Sequence, residues 1–141
     1  MQAPSFEETI EQIVAGDPRY HRDAYFFVRL ALDHTHRMMG RLPEKSETRH
    51  VTGRELLDGI RDCALRQFGP MALMVLEEWG VRRCEDFGEI VFNMVEAKLL
   101  ARTEQDSRDD FKGGYDFHEA FRKPFLPSYK ASAPMAGTRQ G

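Results

Sequence analysis

The sequence predicts a mainly α fold of about five helices with a small C-terminal β-hairpin, and residues 51-117 read as winged-helix-like. Two observations carry this. From Val51 to Leu100 three helix signals follow one another with almost no spare residues. After Leu100 the pattern changes to a glycine-bearing, aromatic segment centred on Gly113-Gly114.

Each helix has local causes. Ser5-Phe6-Glu7-Glu8 is a capping box: the serine oxygen accepts from the Glu8 amide and Glu8 reaches back to the Ser5 amide. Phe6, Ile10, Ile13 and Val14 then form one apolar stripe. Gly16 is expected to supply a left-handed cap, and Pro18 blocks continuation. A second helix is expected from about Tyr20 to Met39. Its middle, Ala24 to Leu32, is interrupted only by Arg29, which implies a central, largely buried helix. Tyr25, Phe26 and Phe27 are read as core anchors. Gly40 to His50 has charges and Pro43 but no period, and is expected to be a solvated connection.

Thr52-Gly53-Arg54-Glu55 is a second capping box, and Val51 with Leu56 makes a hydrophobic staple across it. Leu56, Leu57, Ile60, Cys63, Ala64 and Gln67 are expected to spread the inward face, and Gly69 ends the helix. Pro70 suits the first position of the next helix, where its missing N–H costs little. Ala72, Val75, Leu76 and Trp79 form the next stripe, and Gly80 stops it, with Val81 placed to pack back over the stop. A further helix starts near Cys84 with Glu85 and Asp86, acids that suit the positive helix end. Its apolar stripe is Phe87, Ile90, Val91, Met94, Val95 and Leu99. Leu99 to Thr103 is expected to form a short strand, and Lys112 to Phe117 either its return strand, completing the hairpin or wing, or a tight turn. Phe117, Phe121 and Phe125, four apart, suggest a short docking helix that Pro124 limits. The 127-141 tail is small and polar and is expected to be disordered. The whole therefore reads as one helical domain over 1-126, with N-terminal helices in 1-39 and the helical core in 51-117.

His50-Val51-Thr52-Gly53-Arg54-Glu55-Leu56-Leu57, then Phe68-Gly69-Pro70-Met71-Ala72, then Glu85-Asp86-Phe87-Gly88-Glu89-Ile90-Val91-Phe92-Asn93 resemble a small conserved family associated with Planctomycetes and Verrucomicrobia. Asp110-Phe111 and Gly114-Tyr115-Asp116-Phe117 continue the resemblance. That family has no established activity, so the resemblance implies a compact unit and transfers no catalytic residue.

Composition bounds the function. The net charge is −3 and no segment is basic, so the chain lacks the footprint of a nucleic-acid binder. Two cysteines without CxxC spacing, no signal-like N-terminus and no apolar run long enough to span a bilayer point to a reduced, cytoplasmic setting. The helix that would read DNA presents Glu85, Glu89, Asn93 and Glu96 on its outer side, where carboxylates repel phosphate. Asp33 and His36 share a face but lack a third ligand. Asp106, Asp109, Asp110, Asp116 and Glu119 cluster near Gly113-Gly114, yet the alternation that a calcium loop needs is missing. No nucleophile elbow or phosphate loop occurs. A site assembled from distant groups such as Tyr25, His36, His50, Glu55 and Asp58 has no local signal.

The expectation is accordingly a protein-interaction or assembly module with no catalytic, cofactor or metal residues. Its partner is expected to be a protein, or a second copy of itself, through Phe92, Leu100, Phe121 and Phe125, with Met38 and Met39 as further candidates. The alternatives are a winged-helix-like DNA-binding protein, or an enzyme or metal protein with a dispersed site.

Overall fold

A computed structural model describes residues 4–40, 51–100 and 108–127. The 41–50 connection, the 101–107 half of the expected wing and the 128–141 tail lie outside the described residues. The helices are α1 (Phe6–Gly16), α2 (Arg22–Met38), α3 (Gly53–Phe68), α4 (Ala72–Glu78) and α5 (Cys84–Glu96). The architecture is mainly helical, as the periodicity predicts, and no strand occurs among the described residues.

The capping boxes at Ser5 and Thr52 both form. At the end of α1, however, Gly16 is not left-handed. The chain leaves through extended Asp17, whose N–H donates to the Ile13 carbonyl, and Pro18 prevents another turn. Helix α2 starts at Arg22 rather than at Tyr20, because His21 acts as N-cap and its ring nitrogen accepts from the Asp23 amide. Gly69 ends α3 at φ +53°, and a 3-10 turn (Gly69–Met71) carries Pro70 before α4 begins. Gly80, at φ +88°, then closes α4 in a Schellman arrangement. The Val81 amide reaches the Leu76 carbonyl and the Gly80 amide reaches Glu77.

Helix α5 stops before the expected Leu100. The Leu99 amide bonds to the Met94 carbonyl and the Lys98 amide to Val95, which places Lys98 at φ +66°. The same stop that glycine makes after α4 is thus made here by a lysine in strained backbone.

Helix α2 is central. It lies antiparallel to α3, as the pairings Phe27–Phe68, Thr35–Gly59 and His34–Asp62 require. Its Ala24, Tyr25, Phe27, Val28 and Ala31 are buried. Gly59 lets the two helices approach closely: Thr35 packs directly where a Cβ on Gly59 would stand. Among the described residues Thr35 is the buried polar one, and its hydroxyl donates to the Ala31 carbonyl at 2.7 Å. Tyr25, Phe27, Leu57, Ile60, Phe87, Ile90 and Met94 join one core cluster with residues from α1, α4 and the C-terminal segment.

The expected hairpin is replaced by a strap. After a 3-10 turn (Arg108–Phe111), residues 112–117 run without strand pairing, and a π-turn (His118–Arg122) and a 3-10 turn (Lys123–Phe125) follow. The physical reason is aromatic burial. Phe111, Phe117 and Phe121 are core residues. Phe111 lies against Gly53 at the start of α3 and against Gly88 on α5, where an added Cβ would stand 3.2 Å and 3.0 Å from its ring. Gly114 likewise fits tightly against Leu57 and Cys84. The Tyr115 amide donates to Cys84 Sγ, the thiol donates back to the Tyr115 carbonyl, and the Tyr115 hydroxyl donates to the Leu57 carbonyl at 2.8 Å. The Tyr115 amide and carbonyl thus find their partner at the start of α5.

Candidate functional site

Two polar clusters and one apolar surface are the places where chemistry could reside. The larger cluster joins the α1–α2 connection to α5. Arg19 donates to both Asp17 carboxylate oxygens, from Nε at 2.9 Å and from a terminal nitrogen at 2.7 Å, and lies 3.4 Å from Glu89. Asn93 donates to Asp17 and to the Tyr25 hydroxyl, each at 3.0 Å. Tyr20 donates to Asp86 at 2.6 Å, and the other Asp86 oxygen accepts from the Arg82 and Arg83 amides ahead of α5.

These contacts set the protonation states. The Arg19 guanidinium holds the Asp17 carboxyl far below the usual carboxylate range, with Asn93 assisting and partial desolvation opposing. Burial, then the hydrogen bond to Asp86, pushes the Tyr20 phenol far above its ordinary value. Burial also raises Tyr25. Asp17 thus stays ionised and both phenols stay protonated around neutrality. The side of α5 that would face a DNA groove is instead the seat of the α1–α2 connection.

The second cluster spans α2 and α3. His34 Nε2 lies 2.7 Å from Asp62, and Arg66 Nε donates to the same Asp62 oxygen at 2.7 Å. The His34 hydrogen bond, then that of Arg66, lowers the Asp62 carboxyl. Sequence spacing could not find this pair, because the residues lie 28 apart on different helices. The neighbouring Asp33 accepts instead from Arg29, one turn away.

The other candidates take local roles. Asp109 pairs with Lys112, Glu119 with Lys123, and Asp116 accepts from the Glu119 amide. Asp106 and His50 lie outside the described residues. Of the suggested distant set, Glu55 closes the α3 capping box and Tyr25 accepts from Asn93. Among the described residues no three His, Cys, Asp or Glu side chains gather as a metal would require. Cys63 and Cys84 are free and buried, and burial raises both thiols. No helix among the described residues is long and apolar enough to cross a membrane.

The four residues expected to meet a partner separate. Phe121 is fully buried, its ring edge-on to Phe117 at 5.0 Å and to Tyr115 at 5.7 Å, and it belongs to the core rather than to a surface. Leu100 is half-buried and packs against the core, and Phe92 is also half-buried. Phe125 is 44% exposed. The helical spacing placed it with Phe117 and Phe121. The backbone tightens from a π-turn to a 3-10 turn at Lys123–Phe125, which carries it off that stripe.

The exposed large apolar side chains among the described residues are Leu30, Met38, Met71, Met74, Phe125 and Leu126. Met71 and Met74 are 51% and 50% exposed. They flank the start of α4, which packs beside the π-turn. Phe125 and Leu126 stand at the end of that same strap. The sequence singled out Phe125 and Met38 but passed over this pair, because Met71 follows Pro70 in a junction and Met74 lies on the outer side of a seven-residue helix. Neither a family model nor a curated protein nor a solved structure matches this chain.

Proposed function

We propose that this chain is a helical protein-interaction module that docks a partner through the α4 surface, with Met71 and Met74 at its centre and Phe125 and Leu126 on the neighbouring strap. The observation that carries this is a contrast. The polar side chains with unusual chemistry are spent on internal bonds between helices. Of the large apolar side chains left in water, four stand on α4, its lead-in turn and the strap beside it. Methionine suits such a surface, since its flexible, polarisable side chain adapts to a partner. Exposed apolar side chains grouped on adjacent elements mark interaction sites more often than scattered ones do.

A DNA-binding reading needs the outer side of α5, where Asp86, Glu89 and Asn93 are tied to Tyr20, Arg19 and Asp17. An enzymatic reading needs a proton-exchanging or nucleophilic group, and the buried thiols and raised phenols do not supply one.

The test is size analysis of the native chain in cell extract, beside a variant carrying Met71→Ser, Met74→Ser and Phe125→Ser. The expected result is a wild-type complex larger than the chain and a variant that elutes alone with an unchanged circular dichroism melt. A wild-type chain at its own mass, or a variant that still co-elutes, refutes the reading.

A further inference from the structure

Helix α1 is held differently from the connection that follows it. Ile10 is its one fully buried side chain, whereas α2, α3 and α5 each bury several. Phe6, Thr9, Ile13 and Val14 are half-buried and the rest of α1 is exposed. The helix packs on α2 and α5, with the Phe6 ring 5.5 Å from that of Phe26. Its ion pair to α2, Glu11 with Arg22 at 2.8 Å, joins two exposed side chains and so contributes little. The 17–21 connection is anchored by other bonds. Asp17 accepts from Asn93, Arg19 reaches Glu89 and Tyr20 donates to Asp86. The His21 amide donates to the Trp79 carbonyl at 3.0 Å, and Gly80 leaves no room for a Cβ against the Arg19 carbonyl. No residue of α1 takes part in these bonds. Between the two lies Gly16, where an added Cβ would meet nothing within 4 Å.

We propose that α1 is a lid that opens as one unit at Gly16 while the 17–21 connection stays seated on α5 and the end of α4. Opening uncovers the apolar seat of Ile10 and the side of Phe26 that faces Phe6. The lid opens as a whole for two reasons. Its apolar contacts are spread along its length, from Phe6 through Ile10 to Val14, around a single buried anchor. Once that anchor leaves, a helix of 11 residues remains, shorter than the roughly 12–15 at which isolated helices become even marginal in water. The lid therefore melts as it lifts. The connection does not follow, because its bonds to Asn93, Glu89, Asp86 and Trp79 are made independently of α1. Parts of a fold that bury few side chains open at lower cost than the core does, and they open as contiguous units.

Native-state hydrogen exchange of the full chain, read amide by amide by NMR in water and in low urea, tests this. The bonded amides of α1 should share one protection factor, at least about tenfold below those of α2 and α3. Their exchange should rise only shallowly with urea, since the opening exposes little surface, whereas that of α2 and α3 should rise steeply. The His21 amide should group with α2. Gly59→Ala crowds Thr35 where α2 crosses α3, away from the lid. It should speed exchange in α2 and α3 and leave α1 unchanged, because the lid opens without disturbing that crossing. The wild-type urea slopes decide the matter on their own if that variant does not fold. Protection and urea slope in α1 equal to those of α2, or acceleration of α1 together with α2 in Gly59→Ala, overturns the proposal, since the helix then opens only with the whole fold. Exchange graded inward from Ser5 with no urea dependence also overturns it, since that is fraying and not a unit. A His21 amide that exchanges with α1 removes the hinge from Gly16 and overturns the proposal as well.

Discussion

Gly59→Ala tests the close approach of α2 to α3. An added Cβ would overlap Thr35 Oγ1 outright and stand 2.8 Å from Thr35 Cβ and 3.2 Å from its Cγ2. In a free helix the change would gain about 1 kcal/mol of propensity. Here it must push α2 from α3 or rotate Thr35 off the Ala31 carbonyl, where its hydroxyl is buried and bonded at 2.7 Å. Overpacking costs about 1–3 kcal/mol and an unsatisfied buried hydroxyl about 1–3 more. The net expectation is a loss of about 3 kcal/mol, a large fraction of a typical 5–15 kcal/mol. Urea unfolding followed by circular dichroism should show the midpoint falling by about 1–2 M at a slope typical of small domains. Thr35→Ala removes Oγ1 and Cγ2 but leaves Cβ, so the double variant should recover at least about 1 kcal/mol relative to additivity. A Gly59→Ala midpoint at or above wild type would mean that helix propensity wins and that the close crossing is not what fixes α2 on α3.

Other perturbations follow from the same geometry. Lys98→Gly should stabilise by about 0.5–1 kcal/mol by relieving the positive φ after α5, whereas Lys98→Ala should give no gain; thermal melts compare them. Asp17 and Asp62 have carboxyls held below their ordinary range, so their contribution is complete above the unfolded carboxylate pKa and is lost as pH falls through the depressed folded values. Stability attributable to them should therefore hold from neutrality down to about pH 4 and decline below it, and Asp17→Asn should flatten that decline in acid urea titrations. Cys63 and Cys84 should react with a thiol reagent only as the chain unfolds, because burial both hides them and suppresses their thiolates.

Helix existence was legible because each terminus carries its own chemistry: Ser5 and Thr52 with their glutamates, Gly69 before Pro70, Gly80 before Val81. The Lys98 stop was hidden, since lysine is an ordinary helix residue and only the tertiary seat of Leu99 and Met94 makes it end α5. The strap was misread for a related reason. Gly113-Gly114 and the alternating Tyr115 and Phe117 resemble a hairpin's return strand. What decides the matter is that Gly53 and Gly88 leave a seat for Phe111, and Gly114 one against Leu57 and Cys84, facts about three dimensions with no local signature. The polar side of α5 was visible as a charge pattern, but its tie to Asp17 and Arg19 spans about seventy residues and could not be read from spacing.

Several residues of the stretches 50–57, 85–93 and 110–117 have structural roles in this arrangement. Gly53, Gly88 and Gly114 accommodate the strap, Thr52 and Glu55 cap α3, and Asp86, Glu89 and Asn93 hold the α1–α2 connection. Each is accounted for by packing, capping or a hydrogen bond between elements. Met71, by contrast, is 51% exposed in the junction that follows Pro70. Replacing Met71 with serine should therefore leave stability within about 0.5 kcal/mol, the range of surface changes, while weakening partner binding. A stability loss of several times that size in a urea melt would place Met71 in the core's service and remove it from the docking surface.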